Sequence, residues 1–123
     1  MLTIEEGTKA VRYVRRVIDS YVRGEEIPDE DLGEKFREKS GSFVTILTYP
    51  DRNLRGCIGI PEPVYDLKSS LTESAKSATR DPRFPPLRED ELPKVIVEVT
   101  ILTPPKLVEV KNPREYLEKI KVG

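Results

Sequence analysis

The sequence contains no histidine and no tryptophan, and Cys57 is its only cysteine. A disulfide framework is excluded, because a disulfide needs two thiols in the chain. A structural zinc site built by this chain alone is also excluded, since such sites use four Cys or His ligands. There is no Cys-rich run for an iron–sulfur cluster and no Walker lysine or Rossmann glycine pattern. We therefore expect neither a metal nor a cofactor.

Long hydrophobic runs are also lacking. The longest ones, at residues 95–97 and 101–102, fall far short of the roughly 20 residues that a transmembrane helix needs. The N-terminal residues have neither the basic start nor the apolar core of a signal peptide. We therefore predict a cytoplasmic protein that does not associate with membranes.

Neither sign of charge is in excess, because 21 Lys and Arg residues face 22 Asp and Glu residues, giving a formal net charge of −1. Proteins that bind nucleic acid usually carry a basic excess, so we predict no nucleic-acid partner. Charged residues make up 35% of the chain, glutamine is absent, and 11 prolines are present. This composition is typical of proteins from thermophiles.

Several segments have helical patterns. Thr3 and Glu6 form a capping-box pattern that predicts a helix start, and Gly24 predicts its end. A shorter helix is predicted over residues 29–39, and another over the helical spacing of residues 67–78. The expected buried face of the first helix consists of residues at spacings of three and four, namely Val11, Val14, Ile18 and Val22.

Other segments have strand patterns. Residues 42–49 and 54–60 predict a hairpin, since the turn-forming residues 50–53 separate them. Residues 95–102 (VIVEVTIL) carry apolar residues on both faces, which predicts a central strand. A short strand over residues 107–110 and a helix over residues 112–121 would follow. We therefore predict one α+β domain with a mostly antiparallel sheet and helices packed against it.

The most distinctive segment is LRGCIG, residues 54–59. Strand alternation places Arg55 and Cys57 on one face, and a nearby guanidinium favours the thiolate that attacks electrophiles. Gly56 and Gly59 leave room for a ligand or another backbone segment to approach closely. Alternatively, Cys57 is a buried small hydrophobe and the glycines mark a bulge. Cysteine nucleophiles normally work with a general base, most often histidine, which this chain lacks.

A second unusual run is DPRFPP, residues 81–86. Asp81 and Arg83 can hold an anionic or polar ligand in a loop that proline makes rigid. Alternatively, they pair with each other and cap the preceding helix while Phe84 fills the core. We favour this second interpretation, because arginine–carboxylate pairs are common in protein scaffolds.

Five segments together resemble the AMMECR domain: residues 42–45, 54–59, 81–86, 91–93 and 98–102. Their order and spacing match along essentially the whole chain, and LRGCIG is the signature of that family. The resemblance implies an α+β fold in which helices flank a larger antiparallel sheet, with a smaller subdomain beside it. It also implies that the signature segment lies at a cleft, and it indicates an archaeal or thermophile member.

The resemblance implies less about function, since no reaction is established for the family. Its prokaryotic members are associated with Memo-like and radical-SAM proteins in the AmmeMemoRadiSam system, which implies a role in a modification or biosynthetic pathway. Family members continue past the position of Gly123, so we expect the single domain formed by residues 1–123 to be truncated at its C-terminus. The functional residues transferred from the family are Arg55, Gly56, Cys57 and Gly59, with Asp81 and Arg83 as weaker candidates.

Two functional hypotheses follow. The first is a binding or regulatory module whose cleft holds a partner segment, a peptide or a small molecule. The second is a thiol-dependent enzyme or enzyme subunit, with Cys57 as the nucleophile and Arg55 holding an anion or activating the thiol. The absence of histidine favours binding, whereas a signature around a cysteine favours catalysis.

Overall fold

The computed structural model describes residues 2–102. Two α-helices, α1 (Ile4–Arg23) and α2 (Leu67–Ala78), accompany three strands, β1 (Gly41–Thr48), β2 (Leu54–Ile60) and β3 (Val95–Leu102). Short 3-10 helices cover Glu34–Arg37 and Glu89–Lys94. The strands form one antiparallel sheet in the order β2-β1-β3, which confirms the predicted α+β class.

Helix α1 begins and ends where the sequence predicts. The Glu6 backbone N–H donates to Thr3 Oγ1 at 3.1 Å, and the Thr3 N–H donates to the Glu6 carboxylate at 2.8 Å. Gly24 ends the helix in the left-handed conformation, with φ of 71°. Val11 is 38% exposed, so its predicted burial is wrong. The buried stripe consists of Ala10, Tyr13, Val14, Val17 and Ile18, which leaves Val11 at its border.

Two further expectations need correction. Over residues 29–39 only the 3-10 turn Glu34–Arg37 forms, because Gly33, with φ of 112°, and the extended Glu38 interrupt an α-helical backbone on either side. In the described sheet the central strand is β1, and β3 is an outer strand rather than the predicted central one. The strand expected at residues 107–110 and the helix at 112–121 lie outside the described residues, and the single truncated domain stays a prediction.

A bulge in β2 sets the register of the hairpin. Leu47 lies opposite Leu54, but Ile46 lies opposite Gly56, so Arg55 is an extra residue on β2. Thr45 therefore faces Cys57 across the hairpin. Without the bulge the same strand would place Gly56 opposite Thr45, so this one residue determines which side chains meet at the signature segment.

Both helices pack against the same face of the sheet. The Ser42 hydroxyl on β1 is hydrogen-bonded to the Ser70 and Ser74 hydroxyls of α2 at 2.7 and 3.2 Å, and Val44 and Ile46 are fully buried on that side. Alternation places the intervening residues on the other face, where no described helix packs. We call this the open face; it carries Phe43, Thr45, Leu47, Cys57, Gly59, Ile96, Glu98 and Thr100.

None of the helices within residues 2–102 combines the length and the apolar character needed to cross a membrane.

Candidate functional site

Cys57 lies in the middle of β2, an outer strand of the sheet, and it is half-buried. Its Sγ atom lies on the open face, 3.3 Å from Thr45 Oγ1, and the two are hydrogen-bonded. Cys57 is therefore neither a fully buried hydrophobe nor an exposed thiol. It belongs to a half-exposed pair of polar side chains in the centre of the open face.

The backbone of Cys57 faces the outer edge of the sheet, where two side chains take the place of a neighbouring strand. Its N–H donates to Asp81 Oδ2 at 3.0 Å, and its carbonyl oxygen accepts from Arg83 Nη2 at 3.4 Å. Both side chains belong to the loop after α2. Because unpaired edge groups invite association with other chains, this arrangement protects the centre of β2.

Asp81 is almost completely buried, with 2% of its surface exposed. Its carboxylate accepts from the Arg83 backbone N–H at 3.0 Å, from Arg83 Nε at 3.1 Å and from Arg83 Nη2 at 2.7 Å. The Arg83 side chain and then the Cys57 N–H hold the pKa of Asp81 far below its ordinary range. The same carboxylate raises the pKa of Arg83. Asp81 is thus a charged anchor for β2 at neutral pH.

This geometry refines the structural interpretation of the DPRFPP run. Asp81 and Arg83 pair with each other, as that interpretation expects. They bind β2 instead of capping α2, whose last turn is closed by a hydrogen bond from Thr79 Oγ1 to the Lys76 carbonyl at 2.7 Å. Phe84 is only half-buried, so it does not fill the core.

Arg55 is held by Glu91, which lies in the 3-10 helix before β3. The Nε and Nη2 atoms of Arg55 donate to the two carboxylate oxygens of Glu91 at 2.9 and 3.0 Å, and Nη2 also donates to the Pro86 carbonyl at 3.3 Å. The Arg55 side chain is only 13% exposed. Its hydrogen bonds lower the pKa of Glu91, so both groups are charged and their charges cancel. Within the described residues Arg55 donates no hydrogen bond to the Cys57 thiol.

The two glycines allow close packing within the protein. A Cβ atom at Gly56 would lie 2.3 Å from the carbonyl oxygen of Ala78, at the end of α2. At Gly59 it would lie 2.3 Å from the ring of Phe43. The close approaches that the sequence predicts at these positions are thus made by a helix terminus and by an aromatic ring of β1.

The Cys57 thiol has a single polar side-chain partner in the described structure. Within residues 2–102, no carboxylate, lysine or tyrosine is hydrogen-bonded to the Cys57 thiol, whose polar partner is the hydroxyl of Thr45. The same part of the chain contains no cluster of three or more His, Cys, Asp or Glu side chains that could hold a metal ion. What it presents is a half-exposed sheet face with a thiol, hydroxyls and apolar side chains.

Two site residues, Thr45 and Glu91, are absent from the sequence-based candidates. Both lie inside segments that resemble the family, and that resemblance is the one feature of the sequence that could have pointed to them as site residues. Thr45 could not be paired with Cys57 by counting residues along a regular hairpin, because the bulge at Arg55 shifts the register. Glu91 lies 36 residues from Arg55, a distance over which no local pattern operates.

Comparison with known proteins places the chain among archaeal sequences. The family model described as AMMECR1 matches residues 11–123. Protein MJ0810 of Methanocaldococcus jannaschii is 57% identical over 124 residues, covering 100% of this chain and 62% of its own length. Protein MK0488 of Methanopyrus kandleri is 49% identical over 125 residues, covering 99% of this chain and 60% of its own length.

A solved structure is similar as well. The crystal structure of the uncharacterized protein PH0010 from Pyrococcus horikoshii superposes with a TM-score of 0.79 at 43% sequence identity, covering 99% of this chain and 63% of that one. The chain thus spans about three-fifths of the length of the relatives it matches. These relatives support the thermophile origin that the composition predicts and the archaeal origin that the family resemblance implies.

Proposed function

The chain belongs to the AMMECR1 family, and we propose that it is a non-catalytic binding or regulatory domain that contacts its partner through the open face. The observation that carries this proposal is the position of the Cys57 thiol on that face, bonded to the Thr45 hydroxyl at 3.3 Å. A hydroxyl of this kind does not act as a base near neutral pH, so the pair is suited to contact and not to nucleophilic attack.

The charged side chains around the signature segment support this proposal. Asp81 and Arg83 are bonded to each other and to the Cys57 backbone, while Arg55 is bonded to Glu91. Each charge therefore stabilises the position of β2. A catalytic cysteine would need one of these groups to act on its sulfur or on a substrate. This distribution favours binding over the alternative of a thiol-dependent enzyme with Cys57 as nucleophile.

The open face also has the composition of a contact surface. Phe43, Leu47 and Ile96 are half-buried apolar side chains, and they flank the Thr45–Cys57 pair. Glu98 and Thr100 on β3 are exposed and polar. Interfaces between proteins commonly combine an apolar centre with a polar rim. We therefore place the partner on this face, with the thiol and hydroxyl near the centre of the contact.

The partners follow from the family resemblance. We propose that a Memo-like protein or a radical-SAM protein binds the open face, and that the complex acts in a modification or biosynthetic pathway in the cytoplasm. A peptide or small molecule bound in the same place is the alternative ligand. Family membership alone establishes no chemistry, so direct binding has to be measured.

The test uses the same substitution at two exposed threonines. Thr100→Arg adds a long charged side chain to the open face, whereas Thr8→Arg adds it to the exposed side of α1. Purified Memo-like and radical-SAM proteins from one organism are titrated into each variant by calorimetry. We expect Thr100→Arg to weaken binding of one partner at least tenfold, which is about 1.4 kcal/mol, and Thr8→Arg to leave it unchanged. Equal affinities for the two variants, or no binding to either partner, would contradict the proposal.

A further inference from the structure

A surface depression lies at the C-terminal end of α2, on the helix side of the sheet and therefore opposite the open face. Its volume is about 410 Å³, within the range of roughly 300–1,000 Å³ that small-molecule sites occupy. We call it the α2 groove; it is lined by Tyr21, Ile58, Glu73, Lys76, Ser77, Arg80 and Pro82.

Arg80 is the unusual charge in this groove. Among the arginines of residues 2–102, only Arg12 and Arg80 form no ion pair with a carboxylate. Nη1 of Arg80 donates to the Tyr21 hydroxyl at 2.7 Å. This bond fixes one side of the guanidinium, and its remaining N–H groups have no partner within the described residues. A planar guanidinium oriented in this way matches the oxygens of a carboxylate or a phosphate.

The other charges of the groove leave Arg80 as its net positive charge. The Lys76 ammonium group lies 2.9 Å from the Glu73 carboxylate, so these two charges cancel, and it lies 6.0 Å from the centre of the Tyr21 ring. Ile58 and Pro82 supply apolar surface at the side of the groove nearest β2. The groove therefore combines the Arg80 guanidinium with a Lys76–Glu73 ion pair and a small apolar wall.

We propose that the α2 groove binds a small anionic ligand with a carboxylate or phosphate group, which the Arg80 guanidinium contacts directly. The apolar part of the ligand lies against Ile58 and Pro82. This inference does not rest on the proposed role of the open face, since the groove lies on the opposite side of the sheet.

Phenyl phosphate and benzoate serve as probes, because each joins one anionic group to a flat apolar ring. Amide chemical-shift changes in the full chain are followed by NMR during each titration, and the probe that binds more tightly identifies the preferred anion. We expect the largest shifts at Ile58, Ser77 and Arg80. The absence of localised shifts with both probes would overturn the proposal.

Arg80→Gln removes the charge, and Arg12→Gln is its matched control at the other arginine without an ion pair. We expect Arg80→Gln to weaken binding at least tenfold, because hydrogen bonds to charged groups are strong, and Arg12→Gln to weaken it less than about twofold. Tyr21→Phe removes the acceptor that orients Arg80 and should weaken binding roughly fivefold.

Two results would overturn the assignment of Arg80. Equal weakening by Arg80→Gln and Arg12→Gln would mean that the anions respond only to overall charge. A cation near a helix C-terminus also stabilises the helix dipole, and Arg80 follows the end of α2. If Arg80→Gln lowers Tm but leaves the affinity for both probes unchanged, Arg80 stabilises the helix and does not bind a ligand.

Discussion

The carboxylate of Asp81 accepts a hydrogen bond from the backbone N–H of Cys57 at 3.0 Å, across 24 residues of sequence. A side chain thereby occupies the position that a neighbouring strand would take at the edge of β2. Arg83 holds this carboxylate in place and bonds to the Cys57 carbonyl. The backbone of the signature cysteine is thus fixed by the DPRFPP run, while its thiol is directed to the open face.

Asp81→Asn tests this relationship. The amide keeps the shape of the side chain but loses the charge that binds Arg83 and the Cys57 N–H. Charge-assisted hydrogen bonds are stronger than neutral ones, so we expect Tm to fall by roughly 5–10 °C. Thermal unfolding followed by circular dichroism at neutral pH gives the answer. A change smaller than 2 °C, about the effect of an ordinary surface substitution, would be inconsistent with an anchoring role.

The same pair of proteins should differ in their response to acid. The pKa of Asp81 is lower in the folded chain than in the unfolded chain, so the unfolded state binds a proton first as pH falls. Its stabilising contribution is complete above about pH 5 and is lost progressively below about pH 4. We expect the Tm difference between wild type and Asp81→Asn to shrink over that range. The other carboxylates are present in both proteins, so the comparison isolates Asp81. A Tm difference that stays constant down to about pH 2 would contradict this expectation.

Gly56→Ala should destabilise the fold, since the added Cβ would lie 2.3 Å from the backbone oxygen of Ala78. We expect a loss of about 1–3 kcal/mol in the free energy of unfolding, as is typical of overpacked positions. Gly7→Ala in α1 is the control, because nothing lies within 4 Å of its added Cβ and alanine favours a helix. Chemical denaturation should show a lower free energy of unfolding for Gly56→Ala and a higher one for Gly7→Ala, each relative to wild type. Equal stabilities would mean that β2 and α2 are not packed this closely.

The Arg55–Glu91 pair should be coupled. The two side chains are 13% and 25% exposed, so solvent weakens their interaction less than it weakens a surface ion pair. A double-mutant cycle with Arg55→Met and Glu91→Gln should yield a coupling energy of about 1–3 kcal/mol by urea unfolding. A coupling energy near zero would show that the charges make separate contributions, and Arg55 would again be available for an anionic ligand.

Local patterns in the sequence predict local structure well in this chain. The Thr3–Glu6 capping box, the Gly24 stop and the bounds of β2 all depend on neighbouring residues, and all are confirmed. The helix expected at residues 29–39 fails because the backbone at Gly33 adopts a positive φ, which the helical pattern of the segment does not reveal. Outer or central position in the sheet depends on which segments pair, so the apolar pattern of β3 alone did not determine it.

The candidate site required contacts between distant residues. Arg55 and Cys57 are two residues apart in the sequence, which suggested a guanidinium acting on the thiol. In the structure Arg55 is the bulge residue of β2 and its guanidinium is bound to Glu91. The arginine that contacts Cys57 is Arg83, which bonds to the Cys57 carbonyl. Neither pairing has a local signal, because 36 and 26 residues separate the partners.

The rate at which iodoacetamide alkylates native Cys57 tests the central claim most directly, because the chain has no other cysteine. The rate is compared with that of glutathione at the same pH, and with that of the unfolded chain as an internal reference. A half-buried thiol bonded to Thr45, with Arg55 neutralised by Glu91, should react more slowly than both references. Alkylation of the native protein at least tenfold faster than glutathione would show an activated nucleophile and contradict a non-catalytic role for the signature segment.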